Sequence, residues 1–310
     1  MFFVLTTGRS GSKSIANYLS SFKDVLCIHE PEPILIEEAT LYLYGKYSHE
    51  KIVQLLKDTR KKIIDGKQYG ESNQKLSFII PALQEAFHDS KYIWLVRDGR
   101  EVVNSTFSLG WYDSSLLKDS KWQKYQIEAP KTGDINDEQW RKMNSFEKCC
   151  WYWSYTNKII KRELDKIEES RWVLAKLEDI NYDEIFKLLG LKSNKTKMPW
   201  VNKKRKLKEN SAWKNWDENK KNTFKKICGQ QMDEIYPGWI TRNGKWEELS
   251  KVSIAKKVKH FLQNLLVNVP GKTSLIYRSV KWFCDLIFRS KSPVILNKLD
   301  SIYRKMSGEE

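Results

Sequence analysis

The chain has 310 residues, 40% of them hydrophobic, with 13 tryptophans and a formal net charge of +16. So aromatic a composition excludes a disordered or low-complexity chain and supports one large domain, or a domain with an appendage. The charge favours anionic partners such as nucleotides, nucleic acid, anionic glycans or lipid headgroups, although most single lysines read as solvated surface.

The five cysteines, Cys27, Cys149, Cys150, Cys228 and Cys284, are scattered and form no C-x-x-C or Cys/His pattern. Neither a disulfide framework nor a zinc site is expected, and a reducing compartment is the simpler setting. The first apolar run begins at Phe2, which leaves no room for a signal peptide, and no run is long enough to span a membrane. The expectation is a soluble, cytoplasmic protein.

"MFFVL" is a short, wholly apolar run before a Thr/Gly turn, the pattern of a buried parallel strand. "TTGRSGSKS" (6–14) follows, and "KSIANYLSSF" then places Ile15, Leu19 and Phe22 on one helical face. "DVLCI" reads as a second strand with "HEPEP" as the turn after it, and residues 34–66 read as two helices around "YGKYSHE". "LSFIIPALQEAF" reads as helical with a break or restart at Pro81. "KYIWLV" (91–96) is the clearest buried strand, running through "RDGREVVNSTFS" into a helix. Residues 110–135 read as loop, 137–168 as one long helix, "RWVLAKL" as a strand, and "DEIFKLLGL" as a helix ending at Gly190.

Strands alternating with helices predict a three-layer α/β fold, P-loop-like, with a central, mostly parallel sheet and a C-terminal helical extension. The predicted division is 1–243 for the α/β domain and 244–310 for the extension. In the extension Ile254, Val258, Phe261, Leu262, Leu265 and Leu266 share a helical face, with Lys256, Lys257 and Lys259 mostly off it. Such basic amphipathic helices pack on the domain or a second subunit, or touch an anionic membrane surface peripherally. The oligomeric state is left open.

Ligands of open α/β sheets bind beyond the carboxyl ends of the strands. The loops after "MFFVL", "DVLCI" and "KYIWLV" all lie at that edge. In the first, a Gly/Ser-rich turn between strand and helix is suited to cradle an anion with backbone amides. Gly8 and Gly11 are too close together for a Walker A loop, and Lys13 follows Gly11 by two residues, which disfavours an ATPase or GTPase. What remains is a short cradle in which Arg9 supplies a cation, Ser10, Ser12 and Ser14 supply hydroxyls, and Gly11 permits close approach. In the third loop Arg97 ends a buried strand and Ser105 lies eight residues on, a pair suited to a second phosphate. An ion pair of Arg97 with Asp98 or Glu101 is the structural alternative.

A loop of this form, followed by a strand ending in R-D-G-R with a serine eight residues after the first arginine, resembles the PAPS-dependent sulfotransferases. The likeness is strongest to their bacterial and carbohydrate- or tyrosylprotein-sulfotransferase-like branch. It rests on "TTGRSGSKSIANYL" and "KYIWLVRDGREVVNSTFS", with weaker support from "FEKCCWYWSYTNKII", "WVLAKLEDI" and "IFKLLGL", and covers roughly residues 2–240. The resemblance implies transfer of a sulfuryl group from 3′-phosphoadenosine 5′-phosphosulfate (PAPS) to a hydroxyl, with PAP as coproduct and no metal. It implies that Arg9 stabilises charge on the leaving phosphate, that Ser10, Gly11, Ser12, Lys13 and Ser14 hold the 5′-phosphate, and that Arg97 and Ser105 bind the 3′-phosphate. It also implies a general base in "CIHEPEP", with Glu30 first, His29 next and Glu32 available. The lysine that many relatives carry before their third strand has no clear counterpart in "YGESNQKLSF", where Ser72, Asn73 or Lys75 would supply the contact. In "NKKRKLKENSAWKNW", Trp213 or Trp216 is expected either to stack on adenine or to pack on the core. The acceptor is expected to bear a hydroxyl, on a glycan, a lipid-linked sugar or a metabolite, in a pocket built from loops 34–70 and 108–135. A specific nucleic-acid partner is not expected. The alternatives are a P-loop-like kinase of nucleotides or metabolites and a non-catalytic basic module that binds polyanions or membrane surfaces.

Overall fold

The computed structural model describes residues 1–60, 67–115, 120–192 and 212–242. The elements in chain order are β1 (Phe2–Thr6), α1 (Ser12–Leu19), β2 (Val25–His29), α2 (Ile36–Leu43), α3 (His49–Arg60) and β3 (Gln68–Ser72). A 3-10 turn, Gln74–Phe78, leads into α4 (Ile80–Ala86), β4 (Lys91–Val96) and α5 (Gly99–Ser108). Short helices α6 (Lys121–Lys124), α7 (Ala129–Thr132) and α8 (Asp137–Lys142) precede the long α9 (Ser145–Leu164). Then come β5 (Trp172–Lys176), α10 (Tyr182–Leu189) and α11 (Glu218–Ile235). The chain divides into two compact units, Met1–Pro237 and Gly238–Glu310; the described part of the second is residues 238–242, with α12 (Trp239–Arg242). The predicted amphipathic extension, 244–310, and the basic stretch 193–211 lie outside the described residues. No helix among the described residues is long and apolar enough to cross a membrane.

The five strands form one sheet in the order β2-β3-β1-β4-β5, and every pairing is parallel. β1 is central and buried on both faces, which is why it can be apolar throughout. Phe2 and Val4 face a core shared with Ile15, Leu19, Ile93, Leu95, Ile185 and Phe186, placing α1 and α10 on one side. Phe3 packs against Phe87 and Tyr92 on the other, where α5 and α9 also lie. The chain leaves β1 towards β2 and β3, then returns past it to β4. The reversal of strand order therefore falls between β1 and β4, where open α/β sheets bind ligands.

Three stretches differ from the expectation: 110–135, expected as loop, carries the short helices α6 and α7, and two further differences follow. "QYGES" is a full strand, β3, inserted between β1 and β2, whereas no strand was predicted there. Its Gly70 is required because a Cβ would lie 2.1 Å from the Phe2 ring. The predicted helix 137–168 is two helices. Asn144 takes an extended conformation, and its side chain accepts from the Glu147 amide while the Glu147 carboxylate accepts from the Asn144 amide. This capping box restarts the helix after α8.

Candidate functional site

The loop between β1 and α1 is shaped by its glycines. Gly11 caps α1 at φ +88°, and a Cβ there would lie 2.8 Å from Leu177. A Cβ on Gly8 would lie 2.5 Å from the Gln74 Oε1 and 2.9 Å from the Trp111 ring. The amide of Gly8 donates to the Tyr152 hydroxyl at 2.9 Å, and that hydroxyl donates to Gln74 Oε1 at 2.9 Å. The loop is thus fixed from below by α9 and the 3-10 turn, while the first turn of α1 presents its amides at the sheet edge.

Arg9 is exposed and held in the left-handed region at φ 69°, a strained conformation for a non-glycine residue that the surrounding structure must enforce. Its Nε–H donates to Ser105 Oγ at 3.1 Å. Arg97, at the end of β4, donates from Nη1 to the Arg9 carbonyl at 3.1 Å and from Nη2 to Glu101 at 3.2 Å. The two motifs that stand apart in the sequence therefore touch, and the ion pair with Glu101 coexists with the contact to the first loop. At 25% exposure on each side, that pair is open to competition from an incoming anion.

Of the serines, Ser12 faces the adjoining cleft. Ser10 is fully buried, with its hydroxyl 2.6 Å from that of Thr7, so it braces the loop from inside. Lys13 is exposed and Ser14 half-buried on the first turn of α1. Trp213 differs from the stacking role: it is 3% exposed, donates Nε1–H to Glu101 at 2.9 Å and lies with its ring 4.3 Å from the Arg100 guanidinium. Trp216 likewise donates to Asn104, at 3.1 Å. Both tryptophans fasten the chain to α5, the helix that carries Ser105.

A cleft of about 370 Å³ opens beside Arg9. His29 and Glu30, from the end of β2, line it. The Ser72 carbonyl accepts from the Glu30 amide at 3.1 Å and sits 3.0 Å from His29 Nδ1. A carbonyl only accepts, so Nδ1 carries a proton, and Nε2 lies 3.8 Å from Glu30 Oε1. Burial pushes the Glu30 carboxyl above its ordinary range, partly opposed by His29 and Lys13. Glu30 also sits at φ 52°. Glu32 is exposed and does not line the cleft. Behind this loop, Arg60 and Glu71 form a fully buried pair through Nε and Nη2 at 2.7 and 2.9 Å, and Arg60 also donates to the Pro33 carbonyl at 2.9 Å.

The opposite wall comes from residues the sequence did not single out: Gln74, Phe78, Trp111, Tyr112, Trp122 and Tyr152. The predicted pocket segment 108–135 supplies its lining from Leu109 to Ile127, whereas the segment 34–70 contributes none among the described residues. Of Ser72, Asn73 and Lys75, only Lys75 lines the cleft. Ser72 donates to the Ser12 carbonyl at 3.0 Å, and Asn73 donates to the Ile34 carbonyl at 2.9 Å.

No family model matches the chain, and no curated protein matches it in sequence. Among solved structures it is similar to the sulfotransferase domain from the curacin biosynthetic pathway, with a TM-score of 0.43 and 16% identity, over 63% of this chain and 75% of that one. It is also similar to a sulfotransferase from Alicyclobacillus acidocaldarius, with a TM-score of 0.45 and 15% identity, over 76% of this chain and 95% of that one.

Proposed function

We propose that the chain is a sulfotransferase that moves a sulfuryl group from PAPS to a hydroxyl of an acceptor bound in the cleft. The observation that carries this reading is the contact of Arg9, Arg97 and Ser105 at one sheet edge, with a carboxylate of raised pKa across the adjoining cleft. Two cations and a hydroxyl at the β1/β4 edge suit a donor with phosphates at two positions. The loop lacks the spacing with which a Walker A loop encloses a triphosphate.

In this reading the first-turn amides of α1 and the Ser12 hydroxyl hold the 5′-phosphate, while Arg97 and Ser105 hold the 3′-phosphate. Glu30 takes the proton from the acceptor hydroxyl as its oxygen bonds to sulfur. The bond from sulfur to the phosphate oxygen breaks in line, and Arg9 balances the charge that gathers on the departing phosphate. His29, held by the Ser72 carbonyl, stands next in line as base.

Calorimetric titration with PAP in the absence of magnesium, with ADP and ATP as comparators, tests the donor site. Binding of PAP well above that of ADP is the expected result. Equal binding of PAP and ADP removes the 3′-phosphate site and the reading with it, and binding of any polyanion that weakens steeply with salt points instead to non-selective charge.

A further inference from the structure

Three cations are buried among the described residues, and they are treated differently. Arg60 faces the Glu71 carboxylate, and Arg100 faces that of Asp98. Lys75 is paired with no carboxylate among the described residues. Its Nζ donates to two neutral oxygens, Thr40 Oγ1 and the Tyr125 carbonyl, both at 2.7 Å, and lies 5.7 Å from the rings of Phe78 and of Trp122. An ammonium carries three N–H donors, so one remains. Lys75 is only 3% exposed, yet it lines the cleft.

Burying a charge without an opposite charge is costly, and the group responds by shifting towards its neutral form. Burial alone brings the Lys75 pKa down to about 7. The groups around it do not offset this. α2 presents Thr40, while Glu37 and Glu38 of that helix act on the Tyr125 hydroxyl instead. The segment 120–127 presents a carbonyl and Trp122, and α9 presents the Tyr152 hydroxyl to the same cleft. Arg9, His29, Glu30 and Asp113 border the cleft, but none of them is paired with Lys75.

We propose that this side of the cleft takes a ring compound bearing a carboxylate or sulfate besides its hydroxyl, and that Lys75 binds that anionic group. The anion supplies the charge that Lys75 lacks and accepts its third N–H. Trp111, Trp122, Tyr112 and Phe78 supply apolar and aromatic faces for the ring. Calling the bound compound the acceptor rests on the transfer reading above; the anion site itself does not.

The probes are 4-hydroxybenzoate and glucuronate, each compared with its methyl ester, by calorimetry on the full chain. Each carboxylate is expected to bind tighter than its ester by about tenfold or more near neutral pH, as one charge-assisted hydrogen bond provides. Preference for only one of the two carboxylates identifies the ring as aromatic or sugar. Lys75→Met is expected to abolish the preference and His29→Gln to retain it. Preference lost in His29→Gln but kept in Lys75→Met overturns the assignment. The wild-type protein tests the idea without any variant. At about pH 8, above the range where an ordinary histidine titrates, binding of the carboxylate should take up protons, seen as a difference in heat between phosphate and Tris buffers. No uptake, no preference for the carboxylate, or no binding of either probe overturns the proposal. PAP is titrated into the same preparation. PAP binding without carboxylate preference overturns this inference alone, and carboxylate preference without PAP binding overturns the transfer reading alone.

Discussion

The Nε–H of Arg9 donates to the hydroxyl of Ser105 across 3.1 Å, joining residues 96 positions apart in the chain. Arg97 closes the arrangement by donating to the carbonyl of Arg9. The loop after β1 and the end of β4 are therefore one surface, set at the point where the strand order of the sheet reverses.

Arg97→Ala is expected to weaken PAP binding by about 10- to 100-fold, the scale of charged hydrogen bonds lost. Adenosine 5′-phosphosulfate, which lacks the 3′-phosphate, should lose much less. Calorimetry with both ligands checks this, and equal losses would place Arg97 outside the 3′-phosphate site.

Glu30→Gln should lower the rate of transfer by about 10²- to 10⁴-fold, the usual contribution of a general base, while PAP affinity stays within about twofold since the side chain holds no donor phosphate. The wild-type rate should climb with pH as the Glu30 carboxyl ionises. Burial raises that carboxyl, so the climb should centre above the normal glutamate range. A pH–rate profile of both proteins reads the effect. Turnover retained by Glu30→Gln moves the base to His29.

Lys75 should leave a mark on stability. Its native pKa is about 7, and an unfolded lysine titrates near 10.4. Between those values the unfolded chain holds a proton that the native chain has released, so native stability rises with pH through that window. Below about pH 7 both states are protonated and the contribution is flat. Lys75→Met lacks this slope, which is at most about 1.4 kcal/mol per pH unit. Urea unfolding of both proteins at about pH 7 and about pH 9 measures it; parallel pH dependences would refute an uncompensated ammonium.

Glu71→Ala should cost about 3–5 kcal/mol, because it strands a buried guanidinium. It should also loosen the loop that carries Glu30, since Arg60 holds the Pro33 carbonyl as well as Glu71. Thermal unfolding reads the first effect. The second is read from transfer rates at a temperature where the variant is still folded.

The strands that were legible in the sequence were those whose burial shows as apolar runs, β1 and β4 above all. β3 was not, because its centre holds a glycine and a glutamate. Gly70 makes room for the Phe2 ring, and Glu71 is neutralised by an arginine eleven residues upstream, a partnership invisible to hydropathy. The loop 6–14 and the pair Arg97 and Ser105 could be read from local spacing. Tyr152, Gln74 and Trp111 could not, as they reach Gly8 from three separate segments. Trp213 shows the limit of composition: a tryptophan beside basic residues suits base stacking and core packing equally, and its burial, its bond to Glu101 and the Arg100 guanidinium at its ring decide the matter. Lys75 could be read from the sequence as one of three candidates, with Ser72 and Asn73, for a ligand contact, but its burial shows only once Thr40 and Tyr125 are seen to enclose it.

The fully buried pair of Arg60 and Glu71 also bears on how this sequence can drift. Losing either partner alone strands a charge in the interior, whereas replacing both with apolar residues of similar volume is often neutral or even stabilising. Positions 60 and 71 therefore behave as one heritable unit. Descendants of this sequence should carry both charges or neither, and an intermediate with only one should be short-lived.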